Sequence, residues 1–130
     1  MIHYDAPHIT ILWDETSKCV VLEWRGFVHG EMAYDALNRG IDLLKAKGAK
    51  RWLGDMRKLK VWGEEETKWI NESFFPRVFA AGLRRLAYVI PESALAQLSL
   101  TRTMRHISGQ VFDTGYFSEP EEAKRWLREG

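Results

Sequence analysis

The sequence predicts an α/β fold in which helices flank a mixed β-sheet, with the element order β-β-α-β-α-β-α-β-α. Residues 8–13 and 19–25 place large apolar side chains at every second position, which is typical of a hairpin with one buried face. These side chains are Ile9, Ile11 and Trp13 in the first segment and Val20, Leu22 and Trp24 in the second. From residue 29 onwards, segments of helical periodicity alternate with short apolar runs. Strands that alternate with helices favour parallel pairing through crossover connections.

The first helix is predicted over residues 29–47. Its apolar side chains Ala33, Leu37, Ile41 and Leu44 recur at steps of three and four, and Gly48 follows as a C-terminal cap. Residues 51–56 predict a short strand.

A basic turn at Arg57, Lys58 and Lys60 is expected after that strand. Three consecutive glutamates, residues 64–66, then open a second helix, because acidic groups stabilise a helix N-terminus. Pro76 predicts a kink or break near residues 73–76, since proline has no N–H and clashes with the carbonyl four residues back. Two separate helices before Gly82 are the alternative.

The remaining elements follow the same logic. Residues 86–90 are an apolar run typical of a strand covered on both faces, and residues 93–107 predict a third helix. Residues 111–117 predict the last strand. Ser118 and Glu121 match a capping box, which indicates a closing helix whose buried stripe includes Trp126.

Composition and charge limit the classes of function that the sequence supports. A chain of 130 residues fits one domain, residues 1–130, and its net charge of +1 argues against nucleic-acid binding. One cysteine excludes an intrachain disulfide and suits a reducing cytoplasm. We expect a cytoplasmic protein, because the N-terminal sequence lacks signal-peptide features and no apolar run is long enough to span a bilayer.

The sequence contains no motif that indicates catalysis. Nucleophile-elbow, dinucleotide-binding, P-loop and zinc-protease patterns are absent. Cys19 lies in a predicted strand, where a small buried hydrophobic residue is the simpler interpretation. The four histidines lack metal-ligand spacing. We therefore predict a protein that is not an enzyme and has no catalytic residue, metal site or cofactor.

Aromatic side chains between residues 51 and 79 are the main binding candidates. Such a stripe is more often core than binding site, but it exceeds what one short amphipathic helix usually buries. It therefore also indicates a lid hinged near Pro76, a dimer interface or a membrane contact. The candidate ligand-binding aromatic residues are Trp52, Trp62, Trp69, Phe74 and Phe75.

Two polar residues complete the candidate site. Asp55 ends a predicted strand, where open α/β sheets place ligands, and Arg57 follows it. The alternative is that Asp55 only caps the turn or pairs with Arg57. Other basic residues, including Arg84, Arg85, Arg102 and Arg105, are surface residues or contacts for anionic headgroups.

Several segments carry a resemblance to a known family. VLEWRGFVHGE, RWLGDMRKL, WINESFFPRVFAAGLRRLAYVIPE and YFSEPEEAKRWL resemble the small bacterial SpoIIAA-like proteins related to STAS domains, from about residue 9 to residue 127. The resemblance implies a SpoIIAA-like (STAS-like) fold, an architecture shared with CRAL-TRIO lipid carriers. Regulatory STAS domains carry a phosphorylated Ser or Thr at the start of the second helix, where this chain has Gly63, Glu64 and Glu65.

Together these observations predict a non-catalytic SpoIIAA-like domain. Its expected partner is an apolar or amphipathic small molecule, with a peripheral membrane contact as an added expectation. The alternative is a STAS-like interaction module without the phosphoacceptor, which binds a regulatory protein or forms a homodimer.

Overall fold

The computed structural model describes residues 1–61, 63–94 and 112–129. Six strands form one mixed sheet in the order β1-β2-β3-β4-β5-β6, and helices pack on both faces. The elements are β1 Ile2–Ala6, β2 Ile9–Asp14, β3 Cys19–Phe27, α1 Glu31–Lys47, β4 Arg51–Val61, α2 Glu64–Trp69, a π-helical segment Ile70–Phe74, α3 Phe75–Ala80, β5 Arg85–Val89, β6 Asp113–Phe117 and α4 Pro120–Arg128.

The first three strands are antiparallel, and β3 to β6 pair in parallel. The predicted hairpin is β2–β3, and the mixed sheet is confirmed. The sequence did not predict β1, which pairs with β2 at the edge of the sheet. Its side chains are exposed or half-buried along the whole strand, so no alternating buried face marks it in the sequence.

Helix α1 follows its predicted pattern. Ala33, Leu37, Ile41 and Leu44 are buried against the sheet. Gly48 adopts the left-handed conformation with φ 60°, which glycine accepts without steric cost, and the helix ends there as predicted.

Strand β4 is longer than expected, and the predicted basic turn is wrong. Arg57, Lys58 and Lys60 all lie within the strand. They extend the parallel pairing with β3. The register shifts between Glu23 and Arg25 of β3, and after this shift Lys58 lies opposite Arg25. Their side chains are exposed, and this polarity made the second half of the strand resemble a turn.

The irregularity expected from Pro76 is present, but the chain does not break. Residues 64–80 stay helical, and the Phe75 N–H donates to the Ile70 carbonyl, five residues back. This wider turn lets the helix continue past a residue that cannot donate and would clash in an α-helix.

The last elements of the chain agree in part with the elements predicted from the sequence. Strand β5 matches its prediction within a residue, β6 begins at Asp113, and α4 buries Ala123 and Leu127. The capping box is wrong, because Glu119 is the N-cap and makes no side-chain cap bond. Most of the predicted third helix lies outside the described residues, apart from a helical turn at residues 92–94.

The two faces of the sheet are covered unequally. Helix α1 and the α2–π–α3 helix cover one face, where the larger core includes Trp24, Trp52 and Phe74. Helix α4 covers the other face over a smaller core with Cys19 and Leu53. The side chains of alternate residues in β4 therefore point to opposite faces of the sheet. Only residues whose side chains are on the same face can contribute to one site.

Candidate functional site

An apolar cavity of about 330 Å³ lies between the sheet and the α2–π–α3 helix. It lies on one face of the parallel strands, over residues 52–56 in the first half of β4, residues 86–90 along and just after β5, and Tyr116 of β6. Its lining residues are Trp24, Leu37, Trp52, Gly54, Met56, Thr67, Ile70, Asn71, Phe74, Phe75, Leu86, Tyr88, Ile90 and Tyr116.

The floor of the cavity is a row of residues in register across the strands. Gly54 of β4 pairs with Tyr88 of β5, which pairs with Tyr116 of β6. The two tyrosine rings stack with centroids 5.4 Å apart. A Cβ atom at residue 54 would lie 3.4 Å from Cδ1 of Tyr88, so the missing side chain gives the Tyr88 ring room over β4.

The roof comes from the π-helical segment and the first residue of α3. Phe74 is buried and meets the indole of Trp52 edge-on, with centroids 5.2 Å apart. Phe75 is half-buried and meets Phe112 edge-on at 5.6 Å. The wider turn thus puts two consecutive aromatic residues over the sheet, and Asn71 lies at the rim.

Polar side-chain groups in the described part of the lining are few and uncharged. They are the hydroxyls of Thr67, Tyr88 and Tyr116, the amide of Asn71 and the indole N–H groups of Trp24 and Trp52. Burial raises the pKa of Tyr88 and of Tyr116 above the usual value, so both hydroxyls keep their protons at neutral pH. The cavity can accept apolar surface and exchange a neutral hydrogen bond, and its described lining residues offer no counter-charge to an ion.

Three of the predicted site residues line the cavity, namely Trp52, Phe74 and Phe75. Trp69 does not. Its ring stacks on Tyr34 of α1 with centroids 4.3 Å apart, and the Arg77 guanidinium lies 5.3 Å from the ring centroid.

Trp62 lies outside the described residues.

Asp55 and Arg57 are not at the mouth of this cavity, which corrects their predicted position. Gly54 and Met56 line it, so the intervening Asp55 shares the opposite face of β4 with Leu53. Asp55 and Arg57 instead pair with each other. Arg57 Nη2 lies 2.7 Å from Oδ2, and Nε donates to Oδ1 at 3.0 Å. This pairing, which raises the pKa of Arg57, is the alternative that the sequence left open.

Sequence reasoning missed the floor of the cavity. Gly54, Tyr88 and Tyr116 come from three strands, and only the register of the sheet brings them together. One local signal was available, because Gly54 and Met56 alternate with Asp55 along β4 and share the face of Trp52.

Cys19 is a buried hydrophobic residue, as predicted. It is 0% exposed in the core beneath α4, and burial raises its pKa to about 12. A thiol with this pKa is not a nucleophile at neutral pH.

Two further findings concern only the described residues 1–61, 63–94 and 112–129. No three His, Cys, Asp or Glu side chains among them cluster closely enough to hold a metal ion. None of their helices is long and apolar enough to cross a membrane.

No family model and no curated protein matches the sequence. The chain is similar in structure to an uncharacterised protein of the DUF3478 family from Shewanella loihica PV-4, which has a SpoIIAA-like fold. The TM-score is 0.63 at 14% identity, over 95% of this chain and 98% of that one.

A second similar chain comes from the crystal structure of the diguanylate cyclase SiaD in complex with its activator SiaC, from Pseudomonas aeruginosa. It aligns over 89% of this chain and 98% of its own length, at 13% identity and a TM-score of 0.47, a likeness too distant to bear on function. The similarity to the Shewanella protein concerns the fold alone, and it confirms the predicted architecture: the chain has a SpoIIAA-like fold.

Proposed function

We propose that the protein is a non-catalytic binding domain that holds a small, neutral, largely apolar molecule in the cavity beneath the α2–π–α3 helix. The observation that supports this most directly is the lining itself, in which aromatic and aliphatic side chains surround a few uncharged polar groups. Small-molecule sites generally have this composition, and about 330 Å³ falls at the lower end of their usual range of ~300–1,000 Å³.

The lining also favours a neutral ligand over an ion. None of the lining residues that the structure describes carries a charge, and burying an unpaired charge costs far more than burying a hydrogen-bonded hydroxyl. The protonated hydroxyls of Tyr88 and Tyr116 can donate to a carbonyl or accept from an alcohol. We therefore expect the cavity to prefer a long-chain alcohol, ester or ketone to the matching carboxylate.

We infer that the roof moves when a ligand enters, and the π-helical segment is its irregular part. Phe75 donates five residues back and Pro76 donates nothing, so the helix has fewer α-helical bonds here than in α1. We infer that the N-terminal end of this helix lifts as the lid and that the chain bends next to Pro76.

The first test is native mass spectrometry of freshly purified protein, followed by extraction of any bound molecule. The second is the fluorescence of a neutral apolar probe, N-phenyl-1-naphthylamine, with dodecanol and dodecanoate as competitors at pH 8. Displacement by dodecanol at a much lower concentration than by dodecanoate supports the proposal. Failure of the probe to bind, or stronger competition by dodecanoate, contradicts it.

Two matched variants locate the binding. Thr67 and Lys68 are neighbouring exposed residues of α2, but only Thr67 lies on the rim of the cavity. Thr67→Trp places an indole over the mouth of the cavity, where it takes up space that the probe would occupy. We expect probe binding to weaken about tenfold or more, because the probe loses part of its apolar contact area. Lys68→Trp adds the same indole outside and is expected to leave binding unchanged. If both variants weaken probe binding equally, the cavity is not the binding site.

A second candidate function is protein interaction, with a homodimer as its simplest form. Phe27 at the end of β3 and Met32 at the start of α1 are 67% and 37% exposed, an arrangement that favours a contact surface. Light scattering on the native protein and on a Phe27→Ser variant tests it. A dimer that the variant disrupts would support this function, and a monomer in both cases would oppose it.

A further inference from the structure

A second concave surface lies at one end of the sheet. It is a groove of about 790 Å³ at the amino ends of β4 and β5, next to the C-terminal end of α1. Among the described residues, six cationic side chains and one carboxylate, that of Glu15, line it. These cations are Lys18, Lys47, Lys50, Arg51, Arg84 and Arg85. The chain as a whole carries a net charge of only +1, so this groove concentrates positive charge.

Two of the arginines are held mainly by groups without charge. Arg84 donates to the carbonyls of Leu83 at 2.7 Å and Phe79 at 3.3 Å, and its guanidinium lies 4.6 Å from the Phe79 ring centroid. Arg85 donates to the Trp126 carbonyl and stacks on that indole at 4.4 Å. Carbonyls and rings fix these side chains without neutralising them.

Few carboxylates compensate the rest of the groove. Lys18 pairs with Glu15 at 2.6 Å, and Arg85 has only a long contact of 3.8 Å with Asp113. In the part of the chain that the structure describes, Lys47 and Lys50 have no carboxylate within 4.0 Å. Lys47 lies 5.5 Å from the Trp13 ring centroid instead.

Helix electrostatics explain only part of this pattern. The C-terminal end of α1 favours a cation, which accounts for Lys45 and Lys47 in its last turn. That effect falls off within one turn, so it does not account for Lys18, whose hairpin turn precedes α1, or for Arg85 in β5.

We propose that this groove binds a small soluble molecule that carries two or more phosphate groups. Fixed guanidinium groups match phosphate oxygens, and the lysines add mobile donors. The volume of the groove lies within the range of small-molecule sites. This inference is independent of the apolar cavity and does not rest on the proposed function.

The test is isothermal titration calorimetry with inorganic tripolyphosphate at low salt. Inorganic sulfate, a single tetrahedral anion, is the comparison ligand. The Lys47→Gln/Lys50→Gln variant removes two groove charges. The Lys45→Gln/Lys58→Gln variant removes two exposed charges outside the groove, so both variants have the same net charge. All four side chains are exposed, and both variants are therefore expected to fold.

Tripolyphosphate is expected to bind more tightly than sulfate, and the groove variant is expected to weaken this binding about tenfold, as removal of two exposed charge pairs predicts. The control variant should retain native affinity. Equal weakening in both variants would show attraction by net charge and overturn the proposal. Absence of binding would also overturn it, as would binding seen only with phosphatidylserine-containing vesicles.

Discussion

Substitution of Gly40 by alanine tests how closely α1 approaches the sheet. A Cβ atom at this position would overlap Cη2 of the Trp52 indole and lie 2.9 Å from Cζ2. Trp52 is 2% exposed and is held against Phe74, so the ring can move only toward the apolar cavity that it lines. The same substitution should therefore affect both stability and the cavity.

The expected magnitude follows from two opposing terms. Overpacking a close-packed core costs about 1–3 kcal/mol. Replacing glycine by alanine inside a helix recovers about 1 kcal/mol of helix propensity. We expect Gly40→Ala to lower the free energy of unfolding by about 1 kcal/mol and to weaken binding of the apolar probe, because the displaced indole occupies part of the cavity.

Urea denaturation followed by circular dichroism measures this change, with Asn38→Ala on the exposed face of α1 as the control for helix propensity alone. A double-mutant cycle with Trp52→Phe removes the overlapping indole atoms. The overlap predicts a favourable coupling of about 1–2 kcal/mol between the two substitutions. If Gly40→Ala stabilises the protein as much as Asn38→Ala does, and the coupling is near zero, the close approach of helix and ring is refuted.

Three further predictions concern the other layers of the molecule. Burial raises the pKa of Cys19 to about 12, against 9.0 for an ordinary thiol. As the pH rises, the unfolded chain therefore loses the thiol proton before the folded protein does. The free energy of unfolding should fall by about 1 kcal/mol for each pH unit between 9 and 12. Urea titrations over this range check it, and Cys19→Ala should remove that component of the slope. Asp55→Asn should cost about 1 kcal/mol or less, because its partner Arg57 is 40% exposed, and probe binding should not change. Trp69→Ala should cost about 2–3 kcal/mol in the free energy of unfolding through its lost packing on Tyr34, which urea denaturation measures. Loss of probe binding in Asp55→Asn would contradict the assigned position of Asp55.

The fold was largely predictable because its main signals are local. Helix α1 buries one side along its length, and that burial sets a period that the sequence shows directly. The β2–β3 hairpin was predicted, but not with a single buried face, because Cys19 and Val21 are also buried beneath α4. Strand β1 and the second half of β4 were missed for the opposite reason. Their side chains are mostly half-buried or exposed, so backbone pairing defines them and hydrophobic pattern does not.

The candidate site was predictable only in its roof. Phe74 and Phe75 are adjacent in sequence and next to Pro76, so the aromatic excess and the helix irregularity were visible together. The floor depends on which strands are neighbours, and residues such as Gly54 and Tyr88 carry no local sign that they will face each other.

Both proposed sites follow from the same parallel register. Arg51 lies opposite Arg85 at the first pair of β4 and β5, and Trp52 lies opposite Leu86 at the next. Because side chains alternate between faces, the arginines project into the groove while the residues beside them line the cavity. An anion bound in the groove stabilises the folded state, so tripolyphosphate should raise the unfolding temperature more at low salt than at high salt.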